Sequence, residues 1–139
     1  MSTFKMGDSA RLLTIIGNHF GPRASMHGVE VGVHRGATSA LLLQEFQRLT
    51  LVMVDPWATY ATSDRYRLSG DACARMSARE QDQNCEEAER VTYFAGSRRL
   101  LLRQTSVEAA SLFRGSGQKT AAFDFAFIDG DHTLEAVEE

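Results

Sequence analysis

Four short segments of this sequence bring together residue types that can do chemistry. The first is Val29-Glu30-Val31-Gly32-Val33-His34-Arg35-Gly36, an acid and two glycines between an apolar run and a helical one. Gly32 has no Cβ and so admits a ligand close to the backbone, and Gly36 frees the turn into the helix. The spacing is G-x-x-x-G, whereas a dinucleotide fingerprint needs G-x-G-x-x-G to hold a pyrophosphate. An acid two residues before the first glycine suits a ligand with a cationic amino group and a sulfonium better than it suits pyrophosphate. A tight strand-to-helix turn with an edge acid is the competing reading.

The second element is Asp55, at the end of an apolar run about twenty residues after the glycine turn, where Rossmann folds place a ribose-binding acid. A carboxylate there can accept hydrogen bonds from both ribose hydroxyls. It can equally be an Asp that starts a loop before Pro56. Trp57 either walls a ligand or packs in the core, with the ligand wall slightly favoured. The third element, Thr105-Ser106, follows another apolar run and reads equally as a polar ligand contact or as a helix cap. The fourth is Phe125-Ala126-Phe127-Ile128-Asp129-Gly130-Asp131-His132. Asp131 is a natural N-cap, and His132 is either a base or structural, with the structural role favoured.

Taken together, these segments resemble class I S-adenosylmethionine-dependent methyltransferases. Glu30-x-Gly32-x-x-x-Gly36 resembles the family's glycine-rich motif I, and Ile128-Asp129-Gly130-Asp131-His132 resembles the IDGDH segment of one subgroup. The resemblance spans about residues 9–139. It implies that S-adenosylmethionine is the cofactor. Glu30, Gly32 and Gly36 would hold its amino-acid end, with Val33 in the same site. Asp55 would hold the ribose beside Trp57, and Thr105 and Ser106 would lie near the adenine. Asp129 would sit nearest the transferred methyl, and Asp129, Asp131 and His132 are the catalytic candidates. Asp129 also matches a divalent-metal ligand of related O-methyltransferases, so Mg²⁺ is a possible second cofactor, as suits a hard oxygen donor. The acceptor expected is a small molecule, such as one bearing a hydroxyl.

These segments need elements to position them. Helical periodicity predicts a helix over 9–20, stopped by Gly21-Pro22, and another over 38–48. Apolar runs predict strands over 29–33, 50–54, 100–103 and 123–128. Ser77 with Glu80 forms a capping box for a helix running to about Tyr93, which Gly96 would terminate, and Thr105 with Glu108 forms one for a helix ending near Phe113. A last helix begins near Thr133. Residues 58–76 show no period, and long segments of that kind are often functional. Strands separated by helices imply an α/β fold: an open, mostly parallel, Rossmann-like sheet with helices on both faces.

The totals narrow the partners. A chain of 139 residues fits one domain, here a partial cofactor-binding domain over 1–139. The net charge is −3, and Arg98-Arg99, Arg65 and Arg67 read as isolated solvated charges, so no nucleic-acid partner is expected. No apolar run approaches the ~20 residues of a membrane span, and no signal peptide is evident. Cys73 and Cys85 lack zinc spacing and read as free thiols of a cytoplasmic protein.

The family's sheet has seven strands and only four are legible here, so the C-terminal strands are expected to be missing. That would leave the fourth strand as an apolar edge, open to pairing in a homodimer. Activity of the chain alone is then uncertain, and a non-catalytic cofactor-binding or self-associating fragment is the main alternative. The segment Asp129-Gly130-Asp131-His132-Thr133 also resembles the D-x-D-x-T motif of haloacid-dehalogenase-like phosphatases, a lesser alternative because that motif usually opens its domain. A nicotinamide-binding domain is weakened by the absent middle glycine.

Overall fold

A computed structural model describes residues 6–115 and 123–130. The elements run α1 (Met6–Phe20), β1 (Met26–Val31), α2 (Ala37–Glu45), β2 (Leu49–Val54), α3 (Arg65–Leu68), α4 (Ala78–Thr92), β3 (Arg99–Leu102), α5 (Ser106–Gly115) and β4 (Phe125–Ile128). The helix expected from Thr133 lies outside the described residues.

The four strands among the described residues are all parallel, in the order β3-β2-β1-β4. Alternation along each strand sends side chains to two separate cores. On one face, Met26, Leu49, Leu51 and Met53 pack with Ile16 of α1, Leu42 and Leu43 of α2 and Ala88 of α4. On the other, Val29 and Val54 pack with Ala109 of α5. The uninterrupted apolar run of β2 follows from this, since a parallel strand covered on both sides has no solvent face. The fold is thus the α/β sheet with helices on both faces that the strand–helix alternation predicts.

Element ends depart from the sequence reading for local reasons. β1 starts three residues before Val29 and stops at Val31, because Gly32 and His34 take positive φ values of 90° and 54°, which end extended geometry. α2 stops at Glu45, three residues short of Arg48, where Phe46 turns extended. Arg98 is no idle surface charge. Its guanidinium donates to the carbonyls of Leu43, Phe46 and Leu49 at 3.1–3.3 Å, closing the C-terminal end of α2. A cation suits that end of a helix, where carbonyls are left without amide partners. The Ser77–Glu80 capping box is present.

The region over 58–76 is built rather than irregular. It holds α3, capped by Asp64, and a 3₁₀ turn at Cys73–Arg75. Both cysteines are free. Among the described residues no helix is long and apolar enough to cross a membrane.

Candidate functional site

The strand ladder continues past the strands into the turns at their carboxyl ends. The Gly32 amide donates to the Val54 carbonyl at 2.9 Å, the Asp55 amide to Leu102 at 3.2 Å, and the Asp129 amide to Val31 at 2.7 Å. Three turns that are far apart in sequence are thereby stitched into one rim. Open parallel sheets bind ligands at this place. A cleft of about 400 Å³ opens here, lined by Gly32, Asp55, Thr105, Ser106 and Asp129 among others. That volume falls within the roughly 300–1,000 Å³ of small-ligand sites.

Asp55 is the best-held of these groups. Its Oδ2 accepts from the His34 amide at 2.9 Å and its Oδ1 from the Trp57 amide at 2.8 Å. Burial pushes its carboxyl above the usual range, and those two amides oppose the shift. Each oxygen takes one of these backbone bonds and retains acceptor capacity toward the cleft.

Thr105 serves two ends. Its hydroxyl and amide bond the Glu108 carboxylate at 2.9 and 2.8 Å, forming the cap of α5, while the residue lines the cleft beside Ser106.

Four other candidates are placed away from the cleft lining. Trp57 is 1% exposed and sits in the larger core, with its indole donating to the His34 carbonyl at 2.7 Å. Its part is to brace the turn, not to wall a ligand. Val33 is also in that core.

Glu30 is 1% exposed on the α2 face of the sheet, where the Ser39 hydroxyl donates to its carboxyl. Burial pushes Glu30 up to about 8; the Ser39 bond opposes this, and Asp129 and Asp55 add to it. With no ligand charge beside it this favours the neutral acid at neutral pH, and the Glu30 side chain is turned into the α2 face of the sheet and not into the cleft lining.

Gly36 faces α4. A Cβ there would come within 2.8 Å of the Ala88 Cα, so close helix packing explains this glycine. Gly32 does line the cleft, but a Cβ on it would lie 2.3 Å from the Asp129 carbonyl oxygen. Its smallness lets the end of β1 abut the end of β4.

Among the described residues no three His, Cys, Asp or Glu side chains gather to hold a metal ion, so the Mg²⁺ role expected of Asp129 finds no ligand set there. Asp131 and His132 lie outside the described residues.

The sequence reading passed over His34, Tyr60, Tyr66, Asp71 and Cys73, all of which line the cleft. Burial lowers the His34 pKa, countered by Asp55. Its Nε2 has no hydrogen-bond partner among the described residues. Only the missing periodicity over 58–76 hinted at the other four.

A parallel sheet in the order 3-2-1-4, with its cleft over the strand carboxyl ends, defines a Rossmann-like ligand-binding domain. The chain belongs to the methyltransferase-domain family, whose profile matches residues 29–139. Comparison with curated proteins and with solved structures returns no significant match.

Proposed function

We propose that this domain binds S-adenosylmethionine in the cleft and transfers its methyl group to a small-molecule nucleophile such as a hydroxyl. The observation that carries the reading is Asp55, a half-buried carboxylate fixed by two backbone amides at the end of β2 and facing a cleft of cofactor size. Such a group can accept from both hydroxyls of a ribose. Thr105 and Ser106 lie on the next turn, within the same lining, and suit the adenine side. Asp129 lies across the rim from Asp55 and suits the transfer side.

S-adenosylmethionine supplies, when bound, an electrophilic methyl carbon on a cationic sulfur. Asp55, Thr105 and Ser106 would hold the cofactor, and it would supply the methyl group to the acceptor's nucleophilic atom, the sulfur keeping the bonding pair and the acceptor giving up its proton. The chain's own contribution is positioning and exclusion of water. The turns at His34 and Trp57 hold Asp55, and Asp129, in the same lining, is the carboxylate we assign to take the proton.

Calorimetric titration of the full chain with S-adenosylhomocysteine tests this. We expect saturable binding, weakened at least about tenfold in Asp55→Ala, the scale for losing hydrogen bonds to a charged group. A folded protein that does not bind, or an Asp55→Ala variant that binds equally well, overturns the reading.

A further inference from the structure

The connection from β2 to α4 is far longer than the turns after β1 and β3, and it supplies one wall of the cleft. The Arg67 guanidinium donates to the Tyr60 carbonyl at 2.9 Å, and Gln81 of α4 donates to the Cys73 carbonyl at 3.0 Å. Tyr60 and Tyr66 meet edge to face, with ring centroids 4.9 Å apart. Asp71 accepts from the Cys73 amide at 2.8 Å. All four residues, Tyr60, Tyr66, Asp71 and Cys73, line the cleft.

The chemistry of this wall is one-sided. Its neighbours across the cleft include the carboxylates Asp55 and Asp129, and no lysine or arginine is among the described lining residues. Burial and the nearby Asp71 raise both the Tyr66 phenol and the Cys73 thiol, the thiol to about 11, so both stay neutral. The wall therefore offers two aromatic rings and one carboxylate. Aromatic faces and carboxylates both attract organic cations, and in a partly desolvated cleft the attraction exceeds its value in water. An anion entering the same space would meet three carboxylates.

We propose that Tyr60, Tyr66 and Asp71 form a subsite for an alkylammonium group. The proposal deepens the cofactor reading and rests on it only for the identity of the two candidate sources. These are the amino end of the cofactor and an amine on the methyl acceptor.

Calorimetry on the full chain separates them, using wild type, Asp71→Asn and Tyr60→Leu, with thermal melts to confirm folding. The probes are S-adenosylhomocysteine, methylthioadenosine (which lacks the amino-acid end), tyramine and the anionic 4-hydroxyphenylacetate. The last two are titrated with and without saturating S-adenosylhomocysteine.

Each substitution should weaken the ammonium probe about fivefold and leave methylthioadenosine unchanged. Weakening of S-adenosylhomocysteine assigns the subsite to the cofactor's amine, and weakening of tyramine alone assigns it to the acceptor's. The proposal is overturned if neither ammonium probe responds to either substitution. It is also overturned if wild type binds neither ammonium probe more tightly than 4-hydroxyphenylacetate. Should S-adenosylhomocysteine fail to bind wild type at all, the cofactor reading falls, and tyramine without it still tests the subsite.

Discussion

The indole of Trp57 donates to the backbone carbonyl of His34 across 2.7 Å, joining the two non-glycine residues that, among the described residues, take positive φ, 39° and 54°. Positive φ is costly for bulky side chains and persists only where neighbours enforce it. Asp55 completes the lock by accepting from both of their amides. Two strained turns and one carboxylate thus fix one another, and the carboxylate is the group offered to the cleft. We expect Trp57→Phe, which keeps most of the ring but leaves the His34 carbonyl unpaired, to cost about 1–3 kcal/mol of stability. It should also weaken S-adenosylhomocysteine several-fold although residue 57 lines no part of the cleft. Urea melts and titration measure the two effects. Unchanged affinity in a folded Trp57→Phe would remove Trp57 from the positioning of Asp55.

Asp55 was legible in the sequence because a strand's end is a topological place, and the distance from the glycine turn identified it. Trp57 was not, because its role depends on which way two turns fold toward each other. The same difference separates the glycines. Motif spacing located Gly32 and Gly36, but only tertiary packing shows that one abuts β4 and the other α4. Glu30 was read as an acid holding the cofactor's amino end or edging the turn, because period-two alternation alone does not say which strand face is covered. The wall over 58–76 was visible only as an absence of pattern, since its order comes from capping and cross-loop hydrogen bonds that no periodicity encodes.

Glu30 ties stability to pH. Its folded pKa of about 8 stands above the ordinary carboxyl value of 4.5, so the folded protein holds this proton more tightly than the unfolded chain. The stability it contributes is full below that lower value and is lost as pH rises through about 8. The slope is at most about 1.4 kcal/mol per pH unit. Glu30→Gln, which stays neutral, should match wild type near pH 5 and exceed it by a few kcal/mol near pH 8, at roughly the scale this slope sets. Urea unfolding at three pH values checks this, and parallel curves for the two proteins would show that Glu30 does not hold the proton.

Arg98 offers a test of how α2 is terminated. Its guanidinium serves three carbonyls that have no other cation beside them in the described hydrogen bonds. Arg98→Met keeps the aliphatic stem and removes the donors. The expected loss is about 2–3 kcal/mol in urea melts, the scale for charged hydrogen bonds and the groups they leave unpaired. A loss below about 0.5 kcal/mol, the usual surface value, would return Arg98 to the solvated surface.

The contact between Gly32 and the end of β4 can be set against backbone strain, because Gly70 shares its positive φ. Their φ values are 90° and 89°, but a Cβ at Gly70 meets nothing within 4 Å, whereas one at Gly32 lies 2.3 Å from the Asp129 carbonyl oxygen. Gly70→Ala should therefore cost about 1–2 kcal/mol, the left-handed penalty alone. Gly32→Ala carries the same penalty and must also push β1 and β4 apart at their carboxyl ends. We expect it to cost at least about 4 kcal/mol, in the range reserved for core overpacking and backbone strain combined. Because the displaced atoms belong to the turn that carries Asp129, ligand binding should fall in any fraction that folds. Thermal melts of the two variants side by side give the comparison. Equal losses would mean that the turn after β4 yields freely, and that the rim of the cleft is not fixed by the meeting of these two strand ends.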